Sequence, residues 1–239
     1  MKLIKTFYAL ILMLLSLRIF NSEKYFKNKR IAIVGAADSI FDEKNGDFID
    51  SYDIVIRINK AAQVWEEEKR DYLGSKFTYL FHSFYENSYS GGGPIDFDKF
   101  SNMGIEKLIN PNYTSTGLKT HLNFYKRHLK SKETFILAPR IAREIRENIP
   151  VFVPTVGFSA LMAVLMSDCE EIYITGFTFF KTPYAKGYRE ELTDPKKNEA
   201  HLKKQGIHDP DLEFKAFKRQ LKLTSCENVK MDRALESLI

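Results

Sequence analysis

Apolar residues run through this chain in short consecutive blocks rather than in strict alternation, and such blocks predict strands covered on both faces of a parallel sheet. "RIAIVGAADSI" reads as a buried strand over 31–34 that ends at Gly35 and a small-residue loop. "YDIVIRIN" (52–59) and "KFTYLFHS" (76–83) predict two more strands, each closing on a polar residue. "KLIN" and "TFILAP" add short strands, and 171–176 adds another. Between them the pattern turns helical in "LKTHLNFYKRHLK", in the solvated "PRIAREIREN", over 158–167, and in "DPDLEFKAFKRQLKL". Strands alternating with helices imply an α/β, Rossmann-like domain over 31–239, with a mostly parallel sheet and helices on both faces. Ligands in that architecture bind at the carboxyl ends of strands, where Gly35, Asn59, His82 and Gly176 fall. Loop signals fill 86–100, with three glycines at 91–93, and the polar stretch 183–206.

The start of the chain breaks this rhythm. Lys2 and Lys5 precede "FYALILMLLSL" (7–17), and Arg18, Lys24, Lys27, Lys29 and Arg30 follow. The apolar run is shorter than the ~20 residues that cross a bilayer upright, and no small-x-small cleavage site precedes "NSEKYF". Residues 1–30 are therefore expected to form an uncleaved membrane anchor or interfacial helix with a basic linker. The competing expectation is an apolar helix packed on the domain. The downstream basic residues would hold the main domain on the cytoplasmic side.

Composition narrows the chemistry. The 239 residues are 44% hydrophobic, enough for one sizeable core, and the net charge of +5 is scattered among nearly equal numbers of acids and bases. No focused basic stripe points to nucleic acid, whereas an anionic small substrate or membrane surface suits the balance. Cys169 and Cys226 stand far apart without CxxC or Cys/His clustering, so neither a disulfide framework nor structural zinc is expected.

Among the motifs, "VGAADS" lacks GxGxxG, which weakens a dinucleotide reading, including NAD or S-adenosylmethionine. Gly35 fits a close nucleotide approach and a plain turn equally. In "PTVGFSALMAVL", Pro154 ends a strand-like "VFV", Gly157 permits unusual backbone angles, and an apolar helix begins at once. Free amides beside the Thr155 hydroxyl could hold a phosphate or carboxylate; ordinary capping by Thr155 explains the same residues. No histidine pair shows metal-ligand spacing, and the DxD at Asp96–Asp98 lies beside a glycine loop, so a metal is not expected. His208, flanked by Asp209 and Asp211, has the surroundings of a general base, and equally those of a solvated surface histidine.

Taken together these residues resemble the animal-type family 29 glycosyltransferases, the sialyltransferases. That family's large motif, V-G-N-x-x-S/L and then I-D-x-x-D-x-V-x-R-x-N, is mirrored by "VGAADSI", Gly46 and "IDSYDIVIRIN". Its small motif, P-S-T-G, an apolar helix and C-D-E-V-x-x-Y-G-F, is mirrored by "PTVGFSALMAVLMSDCEEIYITGF". Its His-x4-Glu matches His208 with Glu213. "DYLGSKFTYLFHS" and "EIYITGFTFFKTPYA" are also similar to the bacterial family 42 sialyltransferases, which place a tyrosine for the leaving phosphate where Tyr184 falls, with Tyr188 as the second choice.

The resemblance implies a GT-A-like variant of the Rossmann-like fold. It also implies an inverting, metal-independent glycosyltransferase that moves sialic acid, or the similar Kdo, from a CMP-activated donor to a glycan or glycolipid hydroxyl. No cofactor is implied. Donor binding would fall to Gly35, Ala36, Asn59, His82, Thr155, Val156 and Gly157. Catalysis would fall to His208 as base, with Glu213 and Tyr184 or Tyr188. Sugar and acceptor pockets would lie in loops 84–100 and 183–206. Two positions depart from the family pattern: Ala36 replaces an asparagine, and Val156 stands where a hydroxyl is usual. The large-motif cysteine is missing too, which fits a reducing compartment. A non-catalytic, nucleotide-binding, membrane-associated relative is the alternative that these departures permit.

Overall fold

The computed structural model describes residues 2–87, 91–188 and 206–239. Its framework is an eight-stranded sheet in which every pairing is parallel. The strands are β1 (Leu17–Phe20), β2 (Arg30–Val34), β3 (Ile54–Ile58), β4 (Tyr79–Phe81), β5 (Lys107–Asn110), β6 (Thr134–Leu137), β7 (Glu171–Thr175) and β8 (Val229–Met231), in the spatial order β1-β6-β5-β4-β3-β2-β7-β8. Every residue of β3, β4, β6 and β7 is buried, as unbroken apolar blocks require when helices cover both faces. The strand order runs outward from β2 in one direction through β6 and in the other through β7 and β8. The crevice between β2 and β7 is thus the switch point where such sheets take ligands.

The 49–59 motif turns out to be scaffold with one functional tip. The Asp50 carboxylate accepts from the Ser75 and Lys76 amides at 2.7–3.0 Å, and Asp53 accepts from the Arg30 amide at 2.9 Å. Arg57 is fully buried and donates to the carbonyls of Leu73 and Lys76, with its guanidinium over the Phe77 ring. Burial lowers its pKa to about 10, and these carbonyls satisfy the charge in place of water. The chain after β3 is thereby clamped from both sides, and Asn59 emerges at a fixed position.

Residues 1–30 contribute to the domain. Helix Lys2–Ser16 leads straight into β1, whose Leu17–Phe20 register against Thr134–Leu137 of β6. Phe20 and Phe26 are fully buried in the main core, so the basic stretch after Arg18 belongs to a strand, a short helix (Ser22–Phe26) and β2. Helix Lys2–Ser16 rests on the domain only through Ala9, Leu12, Ser16 and part of Met13, beside Phe124 and Tyr125 of helix Ser115–His128. Both remaining expectations for this segment thus have a physical counterpart: it packs on the domain along one edge, and leaves its apolar bulk bare. Among the described residues no helix is long and apolar enough to cross a membrane.

Two local expectations fail. "VFV" (151–153) is a bend rather than a strand. Gly157 sits inside an ordinary helical turn; its missing side chain serves proximity, since a Cβ there would lie 3.3 Å from the Phe177 ring. The proposed acceptor loops are described only in part, because 88–90 and 189–205 lie outside the described residues.

Candidate active site

A cavity of about 860 Å³ opens across the carboxyl ends of the strands. At its β2–β7 end the backbone itself forms the wall. A Cβ on Gly35 would lie 2.1 Å from the Gly176 carbonyl oxygen, and Gly176 holds φ at +71°, so glycine is required at both positions to bring these loops together. Ala36 lines the wall next to them; its carbonyl accepts from Ala185 N–H at 2.9 Å, which leaves only a methyl group where the resembled family carries a carboxamide.

Helix Val156–Leu165 begins on this cavity, with Gly157 against Ile58 at the end of β3 and Phe177 just past β7. Thr155 is its N-cap: the hydroxyl oxygen accepts from Phe158 N–H at 3.1 Å, and the carbonyl accepts from Ser159 N–H. The capping reading of Thr155 is thus the observed one. Its hydroxyl also donates to Glu213 Oε2 at 2.9 Å, and its amide donates to Glu213 Oε1 at 2.6 Å. Val156 and Gly157 line the cavity, and their N–H groups have no partner among the described residues. Two amides at the positive end of a ten-residue helix have the geometry and field that suit an anion.

Glu213 lies in the first turn of helix Pro210–Leu221, wholly buried, and its pKa rises to about 8 because burial outweighs the two Thr155 hydrogen bonds. Its role in the geometry is to tie the starts of the two helices together. His208 enters the same wall just before that helix. Asp209, expected to raise its basicity, instead caps the helix by accepting from Leu212 N–H at 3.0 Å. The pKa of His208 is lowered, chiefly by burial and partly restored by the Val153 carbonyl. Nδ1 lies 2.5 Å from that carbonyl oxygen, which can only accept, so Nδ1 carries the proton and Nε2 the lone pair. A neutral imidazole with a fixed tautomer is the form a base needs.

Asn59 lines the cavity with φ at +49°, a left-handed conformation that asparagine tolerates. Its Oδ1 accepts from Ser83 N–H at 3.1 Å, leaving the Nδ2 donors for a ligand. Tyr184 and Tyr188 line the cavity too, their rings stacked at 5.4 Å, with Tyr184 bridged to Ala37. Tyr188 donates its hydroxyl proton to the Ile58 carbonyl at 3.2 Å, which fixes it beside the end of β3. His82 is the one expected donor residue that does not reach the cavity. It is fully buried: Nδ1 accepts from Phe84 N–H at 2.9 Å and Nε2 meets the Gly92 carbonyl at 2.7 Å. Burial depresses its pKa to about 4, and the ring serves as a neutral bracket for the glycine loop.

Sequence reasoning missed the far end of the cavity, beyond β5 and β6. Asn112, Tyr113, Arg143 and Arg146 line it, the two arginines one turn apart on helix Pro139–Glu147. In "PRIAREIREN" only Ile141 and Ile145 mark a buried face and the arginines fall away from it, so the pattern alone reads as a solvated helix.

The fold is shared with known proteins. Solved structures of a mammalian sialyltransferase share the fold, with a TM-score of 0.60 at 16% identity over 95% of this chain and 78% of the other for the form in complex with Gal-beta-1-3GalNAc-ortho-nitrophenol, and 0.59 for a second form. The chicken (Gallus gallus) CMP-N-acetylneuraminate-beta-galactosamide-alpha-2,3-sialyltransferase 1 is 24% identical over 211 residues, 86% of this chain; the mouse (Mus musculus) protein of that name is 25% identical over 194 residues, 78% of this chain. The chain spans 58% and 54% of the lengths of these two relatives. The family model for glycosyltransferase family 29 (sialyltransferase) matches residues 1–224, and this chain belongs to that family.

Proposed function

We propose that this chain transfers sialic acid from CMP-sialic acid to a hydroxyl of a galactoside, with inversion and without a metal ion. The observation that carries the reading is that the Val156 and Gly157 amides, the Asn59 carboxamide and His208 with its lone pair on Nε2 line one cavity. Asn59 Nδ2 would bind the cytidine nucleotide, and the two amides with Tyr184 would hold its phosphate. The acceptor oxygen bonds to the anomeric carbon as the bond from that carbon to the phosphate oxygen breaks; the hydroxyl proton passes to His208 and CMP leaves. CMP departs as a phosphate monoester anion, so preorganised N–H and O–H donors can take its charge. Sialic acid is favoured over Kdo because the chicken and mouse relatives are named for CMP-N-acetylneuraminate, and a galactoside because their names and the solved complex carry one.

The test is CMP release from CMP-sialic acid and from CMP-Kdo, with and without a galactoside. Acceptor-stimulated release from CMP-sialic acid supports the reading. His208→Ala should keep CMP binding and lose about 10²-fold or more in turnover; unchanged turnover would remove His208 from the mechanism. Since burial lowers the His208 pKa, the acid limb of kcat/KM should lie below the ordinary value of 6.5. The methyl of Ala36 in the nucleotide wall favours one second reading, a nucleotide-binding relative without transfer. CMP binding with no stimulated release would establish it.

We further propose that helix Lys2–Ser16 lies in the interface of an anionic membrane. Eight large apolar residues of this helix are exposed, among them Leu3, Phe7 and Leu14, and its charged residues are Lys2 and Lys5 alone. Flotation with vesicles containing phosphatidylserine checks this. Loss of flotation in a Leu3→Ser, Phe7→Ser, Leu14→Ser variant is expected, and equal flotation would sink the proposal.

A further inference from the structure

The charge lining the cavity is one-sided. Among the described lining residues the only carboxylate is Glu213, already engaged by Thr155, while Arg143 and Arg146 are exposed and their guanidinium groups have neither a hydrogen bond nor an ion pair among the described residues. Their neighbour Arg140, by contrast, pairs with Glu23 and Glu144. The donor's phosphate already has the helix amides as its partners. The helix amides that suit a phosphate lie against Ile58 and Phe177, at the ends of β3 and β7. Helix Pro139–Glu147 follows β6, three strands from β3 in the sheet, and packs beside helix Val156–Leu165, so the arginines enter the cavity from the β5–β6 side. Two guanidinium groups spaced one turn apart along a helix suit an anion with several oxygens, since each can donate two N–H bonds in a fixed fork.

Resting on the transferase reading, we propose that Arg143 and Arg146 form an acceptor subsite that selects an acidic saccharide, one bearing a sulfate ester or a carboxylate beside the hydroxyl that reacts. The anion sits at the β5–β6 end with Asn112 and Tyr113 nearby, and the attacked donor sits at the β2–β7 end. The pair thus sets specificity without touching the reacting atoms.

The experiment compares lactose, 6-O-sulfated lactose and sialyllactose as acceptors, with sulfated and plain lactose also titrated by NMR with and without CMP. In the native chain, sulfated lactose should exceed lactose by about tenfold or more in both kcat/KM and affinity, as expected for charge-assisted hydrogen bonds. Sialyllactose tells whether a carboxylate serves as well. The double variant Arg143→Gln, Arg146→Gln should bring the ratio near one, whereas Arg140→Gln, the same charge change off the cavity, should leave it high. A native ratio of one overturns the proposal. So does a ratio that survives the double variant, or a double variant that raises the donor KM in place of lowering the ratio. A chain that binds sulfated lactose through these arginines yet transfers nothing keeps this inference and overturns the transferase reading.

Discussion

Helix Val156–Leu165 and helix Lys2–Ser16 are made of the same material, "VGFSALMAVL" against "KLIKTFYALILMLLS", and the fold uses them in opposite ways. In the first, every residue from Phe158 to Leu165 is buried, because the sheet lies on one side and helices Pro139–Glu147 and Pro210–Leu221 lie on others. In the second, Ala9, Leu12 and Ser16 are the only buried positions, and Leu3 is 86% exposed. A helix that is apolar all round must be covered, but its pattern does not say by what. The covered helix can point its amides at a ligand because its walls hold it still. The bare one has an unfinished surface, and that surface is what a lipid interface would complete.

The largest effect that would test this contrast is on stability. Leu161 is fully buried, and Leu161→Ala should cost about 2–5 kcal/mol, the range for a core leucine whose cavity cannot fully collapse. Urea denaturation with an unchanged m-value would measure it. A loss near zero would mean that the helix is not held as described, and the anion site at its start would lose its rigidity with it.

This contrast also marks where sequence reasoning reached its limit. Strands β2 to β7 were legible because doubly covered strands demand unbroken apolar blocks. β1 was not, because "LRIF" reads as the tail of a membrane segment when only hydropathy is considered; the pairing with β6 is a long-range fact. β8 is three residues long, with a lysine at its centre. Candidate residues were legible where a motif ends a strand or opens a helix: Gly35 and Asn59 follow β2 and β3, Gly157 and His208 stand at helix starts, and all four line one cavity. His82 ends a strand as well, but which way a side chain turns after its strand depends on what needs bracketing, here the Gly92 carbonyl. The arginines of helix Pro139–Glu147 were read as solvated because nothing local shows that a cavity lies in front of them.

A second prediction concerns the tie that the buried helix has at its first turn. Glu213 has a folded pKa of about 8 against an ordinary 4.5, so the folded state holds its proton more tightly than the unfolded chain does. Its contribution to stability is full below pH 4.5, declines as pH rises toward 8, and is lost above that. Glu213→Gln keeps the shape and cannot ionise, so the difference in stability between wild type and this variant should slope downward between pH 4.5 and 8. Glu213→Ala should cost about 1–3 kcal/mol at low pH as well, because the Thr155 amide loses its acceptor. A difference independent of pH would mean that the carboxyl is ionised throughout and solvated in some way the fold does not provide.

The smallest effect belongs to the exposed helix, and its smallness is the point. Leu14 is 72% exposed, so in solution Leu14→Ser removes almost no buried area, and the change in stability should stay within about 0.5 kcal/mol. The same substitution at Leu12, two residues earlier on the opposite face and buried against Phe124 and Tyr125, should cost several times more. Measured without lipid, the pair separates a helix packed along one edge from a helix covered by another copy of the chain. If a second copy covers the outer face, Leu14→Ser becomes as costly as Leu12→Ser, and the cost grows with protein concentration because dissociation then contributes to unfolding. If lipid covers it, the two variants differ in water as stated, and Leu14→Ser weakens vesicle flotation while leaving the denaturation midpoint in place.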